Sequence, residues 1–359
     1  MSTELSNDRA WVEVDLASLV DNARAVRRAA HDTPLLPMVK ANGYGLGVHA
    51  VVRALEEVEP WGFGVATPVE GRELRDAGVA RPIVVFTPAC PSQFDHFRAS
   101  GLRPVLDDPT VAGVWPADLP FHCEVDTGMG RAGVRWNDDA ALAQMADHAP
   151  EGVFTHLHSA DESPATVDTQ LERFHRALEA FSPRPSLVHV CNSSGSWRVR
   201  EGFDLARPGI FLYGGEAGPD LPKPARVASV RTRIASLRRL GPGDTVSYGA
   251  EWTAPDPTTV ATLSIGYADG VPRAVKGRAC VLVGGRRCPV VGRVTMDMTM
   301  IDLGPDEAGS SAVGDVATVI GADGEEEITV DEFAGWAGTI SYEILVSLGT
   351  RLPRIYATR

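Results

Sequence analysis

The chain has 359 residues, 44% apolar and 23% charged, the balance of a soluble globular protein and enough length for two domains. Its formal net charge of −13, with no long block of like charge, argues against nucleic acid and anionic membrane as partners. Five scattered cysteines (Cys90, Cys123, Cys191, Cys280 and Cys288) include no CxxC pair, which excludes a disulfide framework and a structural zinc site. Cys123 and Cys191 fall in apolar, strand-like runs and are expected to be buried thiols. The start MSTELSNDRAWVEV has no apolar signal core, and no apolar run approaches a membrane span, so a cytoplasmic location is expected.

In chain order, the alternating run WVEVDL comes first; residues 1–14 form a strand segment that can pair with either domain. Residues 15–226 then alternate short apolar strands with helices. The strands are LLPMV (Leu35 to Val39), GFGVA (Gly62 to Ala66), IVVF (Ile83 to Phe86), RPVL (Arg103 to Leu106) and FHCEV (Phe121 to Val125). VFTH (Val153 to His156), LVHVC (Leu187 to Cys191) and the run LARPGIF around Ile210 follow. Helices are predicted over VHAVVRALEEV, DAALAQMADHA and TQLERFHRALEAF, the last with Leu171, Phe174, Leu178 and Phe181 at helical spacing. Strand–helix alternation repeated about eight times predicts a parallel (β/α)8 TIM-like barrel. From 227 to 359 short β-rich runs are separated by Gly, Pro and Asp, which predicts a C-terminal, mostly β-strand domain. Its first run, Arg226 to Leu240, reads as a strand with one wet face.

In such barrels chemistry collects at the C-terminal strand ends, and the out-of-place polar residues fall there. Lys40 ends the first strand, inside MVKANGYGLG. A lysine that loses hydration is pushed toward its neutral, nucleophilic form, which can join a carbonyl as a Schiff base. Glu124, Asp126 and the following Arg131 mark the fifth strand, His156 the sixth, Asn192 and Ser193 the seventh, and Arg207 the eighth. The turn Asn192-Ser193-Ser194-Gly195 opens a predicted helix; it suits a phosphate, or serves as an ordinary N-cap. Gly209 and Ile210 can add N–H donors.

A lysine, a phosphate cradle and a polar mouth together suggest pyridoxal 5′-phosphate (PLP). The segments VKANGYG, VDTGMGRAGV, THLHSAD, CNSS, RPGIFLYG, VSYGAEWTA, IGYADG, VGRVTMD and ISYE make the chain similar, over nearly its whole length, to alanine racemases, PLP enzymes of fold type III. The resemblance implies that Lys40 carries PLP as an aldimine. It implies that Tyr44, Asn192, Ser193, Gly209, Ile210 and Tyr342 help bind the cofactor, several of them at its phosphate. His156 would pack beside the ring with a hydrogen bond to Arg207, which would face the pyridine nitrogen. A guanidinium only donates, so that nitrogen would stay unprotonated and the ring would be a weaker electron sink, which favours racemisation. The resemblance further implies a two-base proton transfer by Lys40 and Tyr248, with Arg131 and Met296 holding the substrate carboxylate and Tyr267 and Tyr342 narrowing the entry. Tyr248, Tyr267, Met296 and Tyr342 would come from the second subunit of a homodimer with composite sites. The implied activity is interconversion of L- and D-alanine, as for peptidoglycan precursors.

Some positions depart from the family pattern. Glu124 stands where many members have a carbamylated lysine that orients the arginine matching Arg131; glutamate keeps the negative charge on a shorter arm. His158 and Leu46 replace a small residue and a histidine, and Gly43 replaces alanine. These bear on substrate preference, so racemisation of serine or another small amino acid, or a pathway-specific role, is an alternative. His156, His158 and His189 with Glu124 and Asp126 also allow a remote alternative, a metal-dependent barrel hydrolase. A PLP-binding homeostasis protein would lack the C-terminal domain.

Overall fold

The computed structural model describes residues 8–305 and 311–357. Strand β1 (Ala10–Asp15) comes first, followed by the helix Leu16–Ala29. Contacts group Leu19–Ala225 into one unit, and the chain up to Ser18 together with that from Arg226 into another.

The first unit carries the predicted parallel strands: β2 (Phe63–Val65), β3 (Ile83–Val85), β4 (Arg103–Leu106), β5 (His122–Asp126), a short β6 (Val134–Arg135) beside β5, then β7 (Gly152–Phe154) and β8 (Leu187–His189). The barrel's first and last strands are thinner than expected. Parallel bridges at Met38–Gly64, Leu35–Ala206 and His189–Leu205 close the ring where full strands were predicted. Prolines explain this, because each removes a ladder donor. Their carbonyls still accept: Gly64 N donates to Pro37 O (2.9 Å), Ala206 N to Pro34 O (3.0 Å) and Met38 N to Pro208 O (2.8 Å).

Strands buried on both faces need near-continuous apolar sequence, and β2, β3 and β7 are buried throughout. Leu36, Val84, Val105, Phe154 and Leu205 form a core cluster. Polar residues enter this interior only where space is made for them. A Cβ on Gly152 would lie 2.4 Å from His122 Nδ1, so the imidazole can cross the barrel only beside a glycine. Cys123 and Cys191 are buried thiols, as expected.

In the second unit the long strand β9 (Ala228–Leu240) is the spine. It pairs antiparallel with β1, with Thr258–Leu263 and with Val316–Asp323, while β1 pairs in parallel with Arg354–Ala357. Half-buried Arg231 on β9 reaches Glu13 of β1 at 3.2 Å. Among the described residues, no helix is long and apolar enough to cross a membrane.

Candidate active site

Lys40 stands where the first barrel strand gives out. Beyond it the chain makes a left-handed turn, with φ of 53°, 56°, 62° and 52° at Ala41, Asn42, Gly43 and Tyr44. Each L-residue there costs roughly 1–2 kcal/mol, so the turn must be held. Asn42 Oδ1 accepts from Val48 N (2.9 Å), and Asn42 O from Gly47 N (2.9 Å). Glu70 takes Ala41 N with one carboxylate oxygen and Ala66 N with the other, both at 2.7 Å. Thus the first helix turn after β2 clamps the backbone beside the lysine. Burial lowers the Lys40 pKa and Arg131 lowers it further, against an opposing pull from Glu70.

Arg131 reaches the same neighbourhood from the loop after β5. Asp126 Oδ1 shapes that loop by accepting from Gly128 N (2.9 Å) and Gly130 N (3.0 Å). Arg131 itself is exposed and makes no hydrogen bond among the described residues. Glu124 on β5 is 4% exposed. Burial pushes its carboxyl up to about 7, opposed by Arg131 and Arg207 and reinforced by Asp107 and Asp126. Because this value exceeds the ordinary 4.5, the carboxyl costs folding stability progressively as pH rises from about 4.5 to about 7, and the cost is constant above that. Glu124→Gln is therefore expected to stabilise the apoprotein at pH 8, by on the order of 2–3 kcal/mol. It is also expected to raise KM for the amino-acid substrate about tenfold, through loss of the negative charge that acts on Arg131 across space. Thermal melts and initial rates check the two halves, and an unchanged KM removes the role assigned to Glu124.

Ser193, after β8, is buried, and its Oγ accepts from Gly209 N (3.0 Å) and Phe211 N (3.4 Å). The amide of Ile210 opens the 3-10 turn Ile210–Tyr213, ahead of that turn's internal bonds. Tyr44 stacks on Tyr213 at 4.4 Å, and Tyr213 Oη donates to Met38 O (2.8 Å). A Cβ on Gly209 would sit 2.3 Å from the Tyr44 hydroxyl, so only glycine permits this approach. Tyr44, Ser193, Gly209 and Ile210 are thereby gathered into one cradle of hydroxyls and amides. The helix after Ser194 is a single turn, Gly195–Arg198, and Asn192 Oδ1 caps it by accepting from Gly195 N (2.8 Å).

Arg207 differs from expectation. It does not hydrogen-bond His156; it donates to His189 Nδ1 (2.8 Å), Thr155 O (2.8 Å) and Val190 O (3.2 Å). The reason is reach: His189 ends β8, next to Arg207 across the ring, and stacks on Phe154 at 4.8 Å. His156 is close enough for Arg207 to act on it electrostatically; burial first, then Arg207, Arg131 and Lys40, hold its pKa down at about 3, so it is a neutral ring. His189 Nε2 meets His122 Nδ1 at 2.9 Å, and His122 Nε2 lies 3.4 Å from Glu151 Oε2. Arg103 grips Glu151 at 2.6 and 3.2 Å. A guanidinium cannot accept, so His189 Nδ1 must, which assigns the proton to its Nε2 and makes His122 Nδ1 the next acceptor. Burial holds both imidazoles below their ordinary pKa. Burial likewise brings Arg207 down to about 10.

The sequence treated His189 only as a metal candidate and gave His122 no role. The signal was present: two histidines in otherwise apolar barrel strands. Among the described residues no group of His, Cys, Asp and Glu is arranged to hold a metal ion. His158 is exposed and pairs with Ser159.

The second unit holds the other predicted residues, all substantially exposed: Tyr248 71%, Met296 53%, Tyr267 42% and Tyr342 42%. Tyr267 N donates to Thr295 O and Ala268 N to Met296 O, both at 3.0 Å, so the Tyr267 and Met296 loops are laced together. Tyr248 lies in a turn whose Ser247 Oγ donates to Arg293 O (2.7 Å).

A depressed lysine amine, a cradle of amides and two arginines at the C-terminal ends of a parallel barrel define an enzyme domain suited to an anionic ligand with a reactive carbonyl. The family model described as alanine racemase, N-terminal domain, matches residues 14–217, and that of the alanine racemase C-terminal domain matches 227–356. The chain belongs to the alanine racemase family. An alanine racemase of Symbiobacterium thermophilum is 40% identical over 369 residues, covering 96% of each chain. A solved alanine racemase of Bacillus anthracis with bound L-Ala-P superposes with a TM-score of 0.89 at 31% identity, covering 98% of this chain and 95% of that one. The Bartonella henselae alanine racemase with covalently bound pyridoxal phosphate gives a TM-score of 0.89 at 29% identity, covering 98% and 100%.

Proposed function

We propose that this protein interconverts L- and D-alanine with PLP bound covalently through Lys40, as a homodimer in which the β-rich unit of one copy completes the barrel mouth of the other. The observation that carries the reading is the depressed Lys40 amine on a held, left-handed turn that ends at the Tyr44–Gly209–Ser193 cradle, with Arg131 acting on it and His156 within electrostatic reach of Lys40, Arg131 and Arg207 alike. The hydroxyls of Tyr44 and Ser193 and the Ile210 amide are donors that suit a phosphate, and the donor-only Arg207 suits an unprotonated pyridine nitrogen.

When bound, PLP supplies electron withdrawal that makes the substrate's Cα–H acidic. Tyr44, Ser193, Gly209 and Ile210 hold its phosphate. Arg207, locked by His189 and two carbonyls, keeps that withdrawal modest. Arg131 takes the substrate carboxylate, with Glu124 as its anionic neighbour and the Met296 amide of the second copy as co-donor. Lys40 Nζ removes or returns the Cα proton on one face, and Tyr248 Oη of the second copy does so on the other. Tyr267 and Tyr342 narrow the entry. In support of the shared site, the residues assigned to it are among the large apolar and aromatic side chains the β-rich unit leaves exposed. The same reading places the enzyme in the reducing cytoplasm, where its five cysteines stay free.

Incubation of the holoenzyme with L-alanine in deuterated water tests this. D-Alanine carrying deuterium at Cα is expected. No D-alanine, with turnover of serine or another small amino acid in a parallel panel, moves the assignment to that substrate. No turnover of any amino acid removes it.

A further inference from the structure

One buried charge in the β-rich unit has no part in the chemistry above. Asp269 is fully buried, yet carries a full set of charged partners. Arg9 grips it as a fork, Nη2 to Oδ1 at 2.6 Å and Nη1 to Oδ2 at 3.1 Å. Arg351 donates through Nε to Oδ1 at 3.0 Å, and Gly266 N to Oδ2 at 3.0 Å. The partners extend outward. Arg351 Nη1 also donates to Asp297 Oδ1 (2.9 Å), and Arg9 Nη1 also donates to Ser264 O (2.5 Å). On the main chain, Gly349 N donates to Asp269 O (3.0 Å).

These bonds join at one carboxylate the segments that carry the exposed Tyr267, Met296 and Tyr342. Tyr267 lies two residues before Asp269, Met296 is next to Asp297, and the helix Ser341–Ser347 bearing Tyr342 runs on to Gly349 and Arg351. Only the Asp269 carboxylate is buried, the arginines that hold it being partly exposed; removing its charge-bearing partners leaves a buried charge unpaired, which is costly, so the tie fixes geometry. Bidentate arginine–carboxylate bonds fix direction as well as distance.

We propose that Asp269 is a positioning residue that sets the width of the substrate entry, and so the preference for a methyl side chain, by holding Tyr267, Met296 and Tyr342 in fixed relation. This rests on the reading above that these three residues border the substrate. Asn in place of Asp269 keeps the shape but turns an amide N–H toward an arginine, so one arm of the fork is lost.

The test compares alanine with 2-aminobutyrate, one methylene larger, in wild-type and Asp269→Asn holoenzyme. One methylene is usually worth roughly 10–200-fold in discrimination. The kcat/KM preference for alanine is expected to fall about tenfold in Asp269→Asn, mainly through KM for alanine, within that range. The cofactor absorbance is expected to stay the same. Hydrogen exchange at the Tyr267 and Ala268 amides is expected to speed up, a readout that needs no turnover. Arg351→Ala, which leaves the Arg9 fork in place, is expected to shift both readouts the same way by a smaller factor, and it decides the matter if Asp269→Asn does not fold. Unchanged preference with unchanged exchange in the folded variants overturns the proposal. Faster exchange with unchanged preference overturns the role in selectivity. A wild-type protein that racemises nothing instead overturns the functional reading, and exchange then tests the tie alone.

Discussion

Lys40→Ala is expected to abolish racemisation, by on the order of 10,000-fold, and to abolish covalent retention of PLP. The two losses have one cause. The amine is placed by a backbone turn in which four successive residues have positive φ, clamped by Glu70 and Asn42. Its environment, burial first and Arg131 second, favours the neutral form needed both to bind a carbonyl carbon and to take a proton. No other lysine lies on this turn. Borohydride treatment followed by peptide mass spectrometry is expected to find the cofactor on the Lys40 peptide in wild type and nowhere in the variant. A label on another lysine, or full activity in the variant, overturns the assignment. The fold should survive, since the half-buried side chain makes no hydrogen bond among the described residues.

The second large effect is expected at Tyr248. Phenylalanine there keeps the ring and removes only the hydroxyl, so a loss reports proton transfer and not packing. Racemisation is expected to fall about 100- to 10,000-fold, the usual worth of a positioned acid–base group. The equilibrium between enantiomers is fixed by symmetry, so kcat/KM must fall equally in both directions. Exchange with solvent need not. In deuterated water, the enantiomer whose Cα–H faces Lys40 can still wash in deuterium through that amine alone, whereas the other enantiomer is expected to exchange little. NMR of recovered alanine checks this. Equal residual exchange from both enantiomers means that one base serves both faces, and Tyr248 then has no proton to carry. Because Tyr248 is 71% exposed, its truncation should leave the unit's core untouched.

How much of this was legible in the sequence follows the range of the interactions. Strand runs such as IVVF and RPVL announced the barrel because strands buried on both faces leave no choice but apolar side chains. The placement of Lys40, Arg131 and Arg207 followed from strand ends. The sequence was less informative about the thin first and last strands, where Pro34, Pro37 and Pro208 replace ladder donors with lone carbonyls. It hid the left-handed turn, since glycine at positions 43, 45 and 47 signals freedom of φ but not its sign for Ala41 and Asn42. It misassigned the partner of Arg207, because choosing between His156 and His189 takes distances across the ring that no local pattern encodes. The Asp269 tie was likewise invisible: its partners are Arg9 and Arg351, at opposite ends of the chain.

Arg207, His189 and His122 form one hydrogen-bonded file that stops short of Glu151, 3.4 Å from His122 Nε2. Every N–H along it points the same way, away from the barrel mouth, and its upper end is a cation that cannot take a proton. Such a file cannot reverse itself, so it cannot pass hydrogen ions hand to hand as a water chain does. The file therefore braces Arg207 from below and offers it no relay, because its lower end, His122 Nε2, has no hydrogen-bond partner among the described residues.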